Sequence, residues 1–166
     1  MKIVLRFVLL AALVAAGVWL WTILFPSPEK IVRQRLAQVA AEASCNAGEN
    51  PLVLAVRCEN LASRFSTNVE VNINVPEYGQ RQEVVGRAEI TQAAAGMQTH
   101  LGGLKVEFPD VSVTVAPDKL SAVADVTLKV QAAGETNFNV QEMKFTFQKI
   151  GGDWLITRVE TVRTLS

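Results

Sequence analysis

The chain has 166 residues, 49% of them hydrophobic, with 16 basic and 16 acidic side chains and a formal net charge of zero. This length predicts one domain with a core large enough to need no metal. Setting aside Lys2 and Arg6, which precede an apolar run, leaves 14 basic and 16 acidic side chains in residues 29–166. Nucleic-acid-binding proteins normally show a basic excess, so we expect no nucleic-acid partner.

The chain begins with an uncharged apolar run over residues 7–25, FVLLAALVAAGVWLWTILF. As a helix it would span about 28 Å, close to the hydrocarbon thickness of a bilayer. A cleaved signal peptide has a shorter apolar core that ends at small residues. Here Ala15, Ala16 and Gly17 are followed by eight residues, seven of them strongly apolar. The sequence predicts a retained single-pass anchor over residues 1–26, with a cleaved, secreted domain as the alternative.

Trp19 and Trp21 lie in the last turns of this span, where aromatic rings favour the headgroup region. Basic residues flank the span almost evenly, with Lys2 and Arg6 before it and Lys30, Arg33 and Arg35 after it. The short N-terminal tail and the two cysteines discussed below favour an inside N-terminus. We therefore expect a bacterial inner-membrane protein whose body is periplasmic.

Two amphipathic helices are predicted next. Ser27-Pro28 and Asn50-Pro51 each combine an N-cap residue with proline at the first helical position. Apolar residues then recur at helical spacing, at Val32, Leu36, Val39 and Ala43 in the first helix and at Leu54, Cys58, Leu61 and Phe65 in the second.

The apolar period changes to two at residues 69–75, which predicts a strand. Residues 76–82 are rich in turn formers and are expected to form a connection. Helical spacing returns for a third helix, which ends at Gly102-Gly103 and carries Ile90, Ala94, Met97 and Leu101 on its apolar face.

The rest of the chain alternates as four strands, with a break at Pro109-Asp110 and a hairpin turn at Gly151-Gly152-Asp153. In the last strand the apolar phase slips after Ile156, which indicates a bulge near Thr157-Arg158. The order predicts an α+β roll over residues 27–166, in which three helices pack on a curved antiparallel sheet.

Two local patterns resemble the nuclear-transport-factor-2-like superfamily, also called the SnoaL-like or cystatin-like fold. Residues 86–90, GRAEI, resemble the G-R-x-x-I that opens the third helix in many such domains. Residues 149–156, KIGGDWLI, resemble the K-x-x-G-x-W-x-I of their closing hairpin. The resemblance covers about residues 28–166 and implies a sheet that curls around the helices to form a cone.

In relatives resembling ketosteroid isomerase or scytalone dehydratase, the cone holds an active site, whereas other relatives bind proteins or dimerise through the sheet. An open pocket lined by Tyr78 or His100 would favour a ligand-binding protein or an isomerase-like or dehydratase-like enzyme. A cone filled by apolar side chains would favour a scaffold. The apolar candidates for that lining are Met97, Phe108, Phe145, Phe147 and Trp154.

No catalytic constellation is visible in the sequence. His100 is the single histidine and Tyr78 the single tyrosine, and a helix end and a turn explain them better than catalysis does. No His, Cys, Asp or Glu cluster has the spacing of a zinc site, and no phosphate-binding loop is present. We expect no catalytic residue, no metal and no cofactor.

Cys45 and Cys58 are the only two cysteines. An even pair outside the cytoplasm favours a disulfide, closing a loop of about 14 residues worth roughly 3 kcal/mol in the chain-entropy model. Cys58 lies on the apolar stripe of its helix, whereas Cys45 lies off its own stripe. Two unbridged thiols are therefore the alternative.

The polar sides of two strands predict a contact surface for a homodimer or another protein. The residues concerned are Thr127, Lys129, Gln131, Lys144, Thr146 and Gln148. The sequence thus favours a membrane-tethered, non-catalytic interaction or assembly module over a ligand binder or enzyme that uses the cone cavity.

Overall fold

The computed structural model describes residues 14, 26–75 and 80–162, and only the backbone of residues 74, 75, 80–82 and 98–101. The predicted anchor over residues 7–25 lies outside these residues, apart from Val14, which is helical and 58% exposed. Within the described part of the chain, no helix is both long enough and apolar enough to cross a membrane.

The described residues form three helices and six strands, which confirms the predicted α+β architecture. In chain order they are α1 Pro28–Ala43, α2 Pro51–Ser63, β1 Phe65–Val75, β2 Gln80–Val85, α3 Arg87–Leu101, β3 Leu104–Val115, β4 Ser121–Ala132, β5 Asn139–Ile150 and β6 Asp153–Thr161. Strand β2 was not predicted, because its polar sequence follows a turn-forming stretch and carries no long apolar alternation.

The predicted helix starts are confirmed by their caps. The Ser27 hydroxyl accepts a hydrogen bond from the Lys30 N–H at 3.4 Å, and the Asn50 side-chain oxygen accepts one from the Leu52 N–H at 2.9 Å. Each bond satisfies a backbone donor that the first turn of a helix leaves without an intrahelical partner.

The six strands form one sheet in the order β2-β1-β6-β5-β4-β3. The expectation of a wholly antiparallel sheet was wrong, because β1 and β6 pair in parallel. Hairpins join β3, β4, β5 and β6, so each of these strands runs antiparallel to the one before it. The chain then returns beside β1 in the same direction, a long-range pairing that no local pattern encodes.

The predicted bulge lies in β6. Thr146 pairs with Arg158 and Phe147 pairs with Ile156, which leaves Thr157 as the extra residue. Strand β3 continues through Pro109 with a register shift between Glu107 and Asp110. Proline is tolerated there because β3 is an edge strand and one of its sides needs no ladder donor.

The core lies between the helices and the inner side of the sheet. From the helices it receives Val32, Leu36 and Val39 of α1, Cys58 and Leu61 of α2, and Ala94 of α3. The predicted apolar face of the third helix is wrong at Met97, which is 53% exposed. Ala94, one turn earlier, is 7% exposed and belongs to the core.

Candidate functional site

The hollow of the curved sheet, where the family resemblance places a pocket, is filled by apolar side chains. Phe147, Trp154 and Phe145 are 0%, 2% and 5% exposed, and all three belong to the core together with Leu36. The half-buried Phe108 meets Phe145 edge to face, with ring centroids 5.8 Å apart and planes at 68°. Aromatic pairs prefer this geometry, so the filling is a packed core.

Of the remaining candidate pocket residues, only the Met97 side chain is described. Met97 lies on the solvent side of α3. Tyr78 lies outside the described residues, and His100 belongs to α3 but its side chain is not described. Their roles stay predictions.

Charged groups lie at the surface of the described structure. Among the described side chains, Ser66, at 7% exposure, is the only buried polar one. No group of three His, Cys, Asp or Glu side chains could hold a metal ion within the described ranges. Acid–base catalysis usually relies on carboxyl or imidazole groups whose pKa is shifted by burial, and no buried carboxylate occurs among these residues.

One ion pair joins α2 to the α1–α2 connection, and a second joins its C-cap residue to the last turn of α1. Arg57 donates to a Glu49 carboxylate oxygen and to the backbone carbonyl oxygen of Ser44. Arg64 donates two hydrogen bonds to the Glu42 carboxylate, at 3.1 and 2.5 Å. These bonds to a carboxylate raise the pKa of the Arg64 guanidinium. The partners are 8 and 22 positions apart in the chain, so no local sequence pattern indicated either pair.

Two open grooves flank α1. One is about 600 Å³ and lies between α1 and β3, lined by Arg33, Leu36, Ala37, Ala40 and residues 106–111. The other is about 580 Å³ and lies at the end of α1, where Cys45, Arg57, Lys105 and Gln131 are among its lining residues. Both volumes fall in the range of small-molecule sites, but ligand sites usually bury most of their ligand, which an open groove does not do.

Cys45 and Cys58 are both buried, at 7% and 2% exposure, and both are thiols in this structure. The Cys45 backbone exchanges two hydrogen bonds of 2.8 Å with Leu104, which fixes it against the start of β3. Burial, and then the neighbouring Cys45, raise the pKa of the Cys58 thiol. The disulfide between them stays a prediction.

The side of the sheet opposite the helices, here called the outer face, carries polar side chains in cross-strand rows. One row crosses five strands, with Ser112, Asp125, Lys144, Glu160 and Asn72 as successive neighbours. Acidic and basic groups alternate along the middle of this row, which favours the pairing of its strands.

The predicted contact residues lie on β4 and β5. Thr127 donates to the Glu142 carboxylate at 2.9 Å, and Gln131 donates to the Glu135 carbonyl oxygen at 2.9 Å. Lys129 lies 4.3 Å from the centroid of the Phe138 ring. Lys144, Thr146 and Gln148 follow along β5 at every second position.

No protein-family model matches the chain, and no curated protein matches it. Solved structures do match. An NTF2-like protein with a cystatin-like fold from Novosphingobium aromaticivorans is 19% identical, with 89% of this chain and 86% of that chain covered at a TM-score of 0.63. The chain has the nuclear-transport-factor-2-like fold.

Two further structures with this fold have different names. A protein named as a candidate scytalone dehydratase, also from Novosphingobium aromaticivorans, is 15% identical, with 82% of this chain and 83% of that chain covered at a TM-score of 0.59. The yeast UBP3-associated protein BRE5 is 12% identical, with 81% and 95% covered at a TM-score of 0.58. At these identities the nuclear-transport-factor-2-like fold is shared, and the fold alone does not determine an activity.

Proposed function

We propose that this chain is a membrane-tethered, non-catalytic interaction module whose contact surface is the outer face of its sheet. The observation that carries the proposal is the filled cone. Phe145, Phe147 and Trp154 fill the space that an active site would need. Among the described residues, they leave no cavity inside the roll for a substrate. What the body offers instead is a broad, mostly polar sheet surface.

The outer face suits contact between two copies of the chain. In a two-fold interface the same patch meets itself, so it must carry groups of both signs. Asp125, Lys144 and Glu160 are direct cross-strand neighbours in that order. When one copy is turned over against another, an acid of each row faces the base of the other. We therefore infer a homodimer as the first interaction of this module.

The dimer is tested by measuring the mass of the full-length chain in detergent by light scattering at micromolar concentration. Thr146→Glu adds a charge in the middle of the outer face, opposite Arg158 of the same chain, and is expected to weaken dimerisation tenfold or more, about 1.4 kcal/mol. Gln92→Glu adds the same charge on the exposed side of α3 and is expected to have no effect. A monomeric wild-type chain would count against the proposal.

The tether rests on the 19-residue uncharged run before α1. The expected result is that the chain stays with the membrane during alkaline carbonate extraction and that the mature protein retains residues 7–25 on N-terminal sequencing. A mature chain that lacks this run would overturn the tether and leave a secreted domain.

A periplasmic location for the body is part of the same proposal. It predicts that protein isolated from cells without reductant contains the Cys45–Cys58 disulfide, seen as a mass two hydrogens lower than that of the reduced chain. Cys45→Ser removes the bridge and serves as the control. Two alkylatable thiols in freshly denatured wild-type protein would argue for a reducing compartment.

A second candidate function is binding of a small apolar ligand in the groove between α1 and β3. The groove favours this because Leu36 and Phe108 line it and Arg33 stands at its edge. The probe is the fluorescent dye anilinonaphthalene sulfonate, which carries an apolar ring system and one negative charge. Saturable binding that Ala37→Trp abolishes would support a ligand site. Equal dye fluorescence in both proteins would exclude this groove.

A further inference from the structure

The end of the body that faces the anchor can be identified from the chain path. The apolar run ends at Phe25, and only Pro26 and Ser27 separate it from the first residue of α1. Three steps along the chain from Phe25 to Pro28 span at most about 11 Å, so the start of α1 must lie close to the last residue of the run. If the run is a membrane anchor, the surface around the start of α1 is therefore the part of the body nearest the membrane.

Two turns lie at this end of the body. The Ser44 hydroxyl, at the end of α1, accepts a hydrogen bond from the Val106 N–H, near the start of β3. Arg33, near the start of α1, donates to the Val111 carbonyl oxygen at 2.6 Å, farther along β3. Helix α1 therefore runs antiparallel to β3. The end of β3 and the β3–β4 turn at residues 116–120 therefore lie at the start of α1. The β5–β6 turn at residues 150–152 lies there too, because Arg35 of α1 pairs with Asp153 at 3.0 Å.

The two turns are adjacent to each other. The Lys149 N–H donates to the Leu120 carbonyl oxygen at 2.8 Å, so the β5–β6 turn packs beside the β3–β4 turn. Each turn presents an aliphatic side chain to solvent. Leu120, in the β3–β4 turn, is 56% exposed, and Ile150, the last residue of β5, is 45% exposed.

Lys119 and Lys149 directly precede these two aliphatic residues in the chain, and Lys30 lies in the first turn of α1. Lys30, Lys119 and Lys149 are exposed, and none has an ion-pair partner among the described residues. The carboxylates at this end are already engaged: Glu29 pairs with Arg33, Asp153 pairs with Arg35, and Asp118 accepts from the Leu120 N–H. Exposed aliphatic groups among free ammonium groups fit the boundary between acyl chains and anionic headgroups.

We propose that the β3–β4 and β5–β6 turns form a second membrane contact, with Leu120 and Ile150 entering the headgroup region of a leaflet that contains anionic lipid. This inference rests on the proposed tether, which supplies the nearby bilayer. The contact would hold the body upright at the membrane, with α1 pointing away from the bilayer.

Depth-sensitive quenching tests the contact on the full-length chain in nanodiscs with brominated acyl chains. Leu120→Trp places a probe in the proposed contact. The matched control is Leu52→Trp, at a leucine that is 76% exposed in the first turn of α2. Helix α2 meets α1 at the far end, where Arg57 donates to the Ser44 carbonyl oxygen, and α1 is about 24 Å long, since 16 residues rise 1.5 Å each. The native Trp19 and Trp21 report on the anchor itself.

The expected result is quenching of Leu120→Trp beyond that of the wild type, and no excess for Leu52→Trp. Phosphatidylglycerol in the nanodisc should increase the excess about twofold over phosphatidylcholine alone, because the lysines add attraction to anionic lipid. Lys119→Asn with Lys149→Gln should remove that increase. Asn is chosen because Lys119 has a φ of 56°, a conformation that asparagine tolerates.

The outcomes separate the second contact from the tether. The buried Trp154 gives an unquenched background that is the same in every variant. Quenching of Trp19 and Trp21 above that background with no excess for Leu120→Trp would overturn the contact and leave the tether standing. No quenching of Trp19 and Trp21 would overturn both. If the Leu120→Trp emission shifts to the blue with protein concentration in unbrominated lipid, the turns meet another protein chain, and the lipid contact is rejected.

Discussion

Phe108 and Phe145 pack edge to face across the hollow of the sheet, with their ring centroids 5.8 Å apart. This pair joins β3, an edge strand, to the apolar core on β5. The pair makes the closed core directly testable by mutation.

Removing the ring of Phe145 should destabilise the protein strongly. Phe145 is 5% exposed, and truncation of a buried phenylalanine leaves a cavity that costs about 3–5 kcal/mol. We expect Phe145→Ala to lower the free energy of unfolding by about 3 kcal/mol in denaturant titrations. The control is Phe138→Ala, at a ring that is 55% exposed, which should cost about 1 kcal/mol or less. Equal losses would mean that the hollow is not packed.

The Glu42–Arg64 pair should contribute more to stability than an exposed pair. Its side chains are 16% and 21% exposed and share two hydrogen bonds, whereas Glu29 and Arg33 are about half exposed. Glu42→Gln should cost about 2 kcal/mol, because it leaves a half-buried guanidinium without its carboxylate. Glu29→Gln should cost less than about 0.5 kcal/mol. Thermal and chemical unfolding of both variants measures the difference, and a reversed order would refute this account.

Stability of the reduced protein should decline in alkaline solution because of Cys58. Burial and the nearby Cys45 raise the pKa of this thiol above its ordinary value of 9.0. The thiol thus ionises first in the unfolded chain. Its contribution is fully present below pH 9 and is lost as the pH rises through the folded-state pKa.

Denaturant unfolding from pH 7 to 10.5, in the presence of reductant, measures this decline. Cys58→Ala removes the titrating group and should flatten the curve above pH 9, after allowance for its lower stability at neutral pH. An unchanged slope in the variant would assign the alkaline loss to other groups.

Gly103 should be intolerant of any side chain. A Cβ there would lie 2.8 Å from the Ala133 Cβ and 3.0 Å from the Ala47 N, and its φ of 145° is one that other residues rarely adopt. We expect Gly103→Ala to cost about 2 kcal/mol or more from the clash and the backbone strain.

Gly134→Ala is the matched control, because Gly134 has a φ of 83° but open space around it. That variant should show the backbone penalty alone, about 1 kcal/mol. Thermal unfolding of both variants compares the two sites. A loss at Gly103 no larger than the loss at Gly134 would mean that the neighbouring segments move apart easily.

Local signals carried most of the fold prediction. The caps at Ser27 and Asn50, the apolar stripe of α1 and the bulge at Thr157 were all readable, because each depends on a few neighbouring residues. The candidate site was less predictable. The aromatic residues of the cone could be named, yet their packing into a closed core depends on which strands lie side by side.

The sequence by itself determined the pattern of apolar and polar segments: one long apolar run, then three helices and every strand except β2 in the correct order. The tertiary structure decided the parallel pairing of β1 with β6, the exposure of Met97 and the contact of Lys149 with Leu120. The physical reason is the distance along the chain over which each interaction acts. Hydrophobic periodicity and capping act over a few residues, whereas sheet order and the meeting of turns are set by the packing of the whole body.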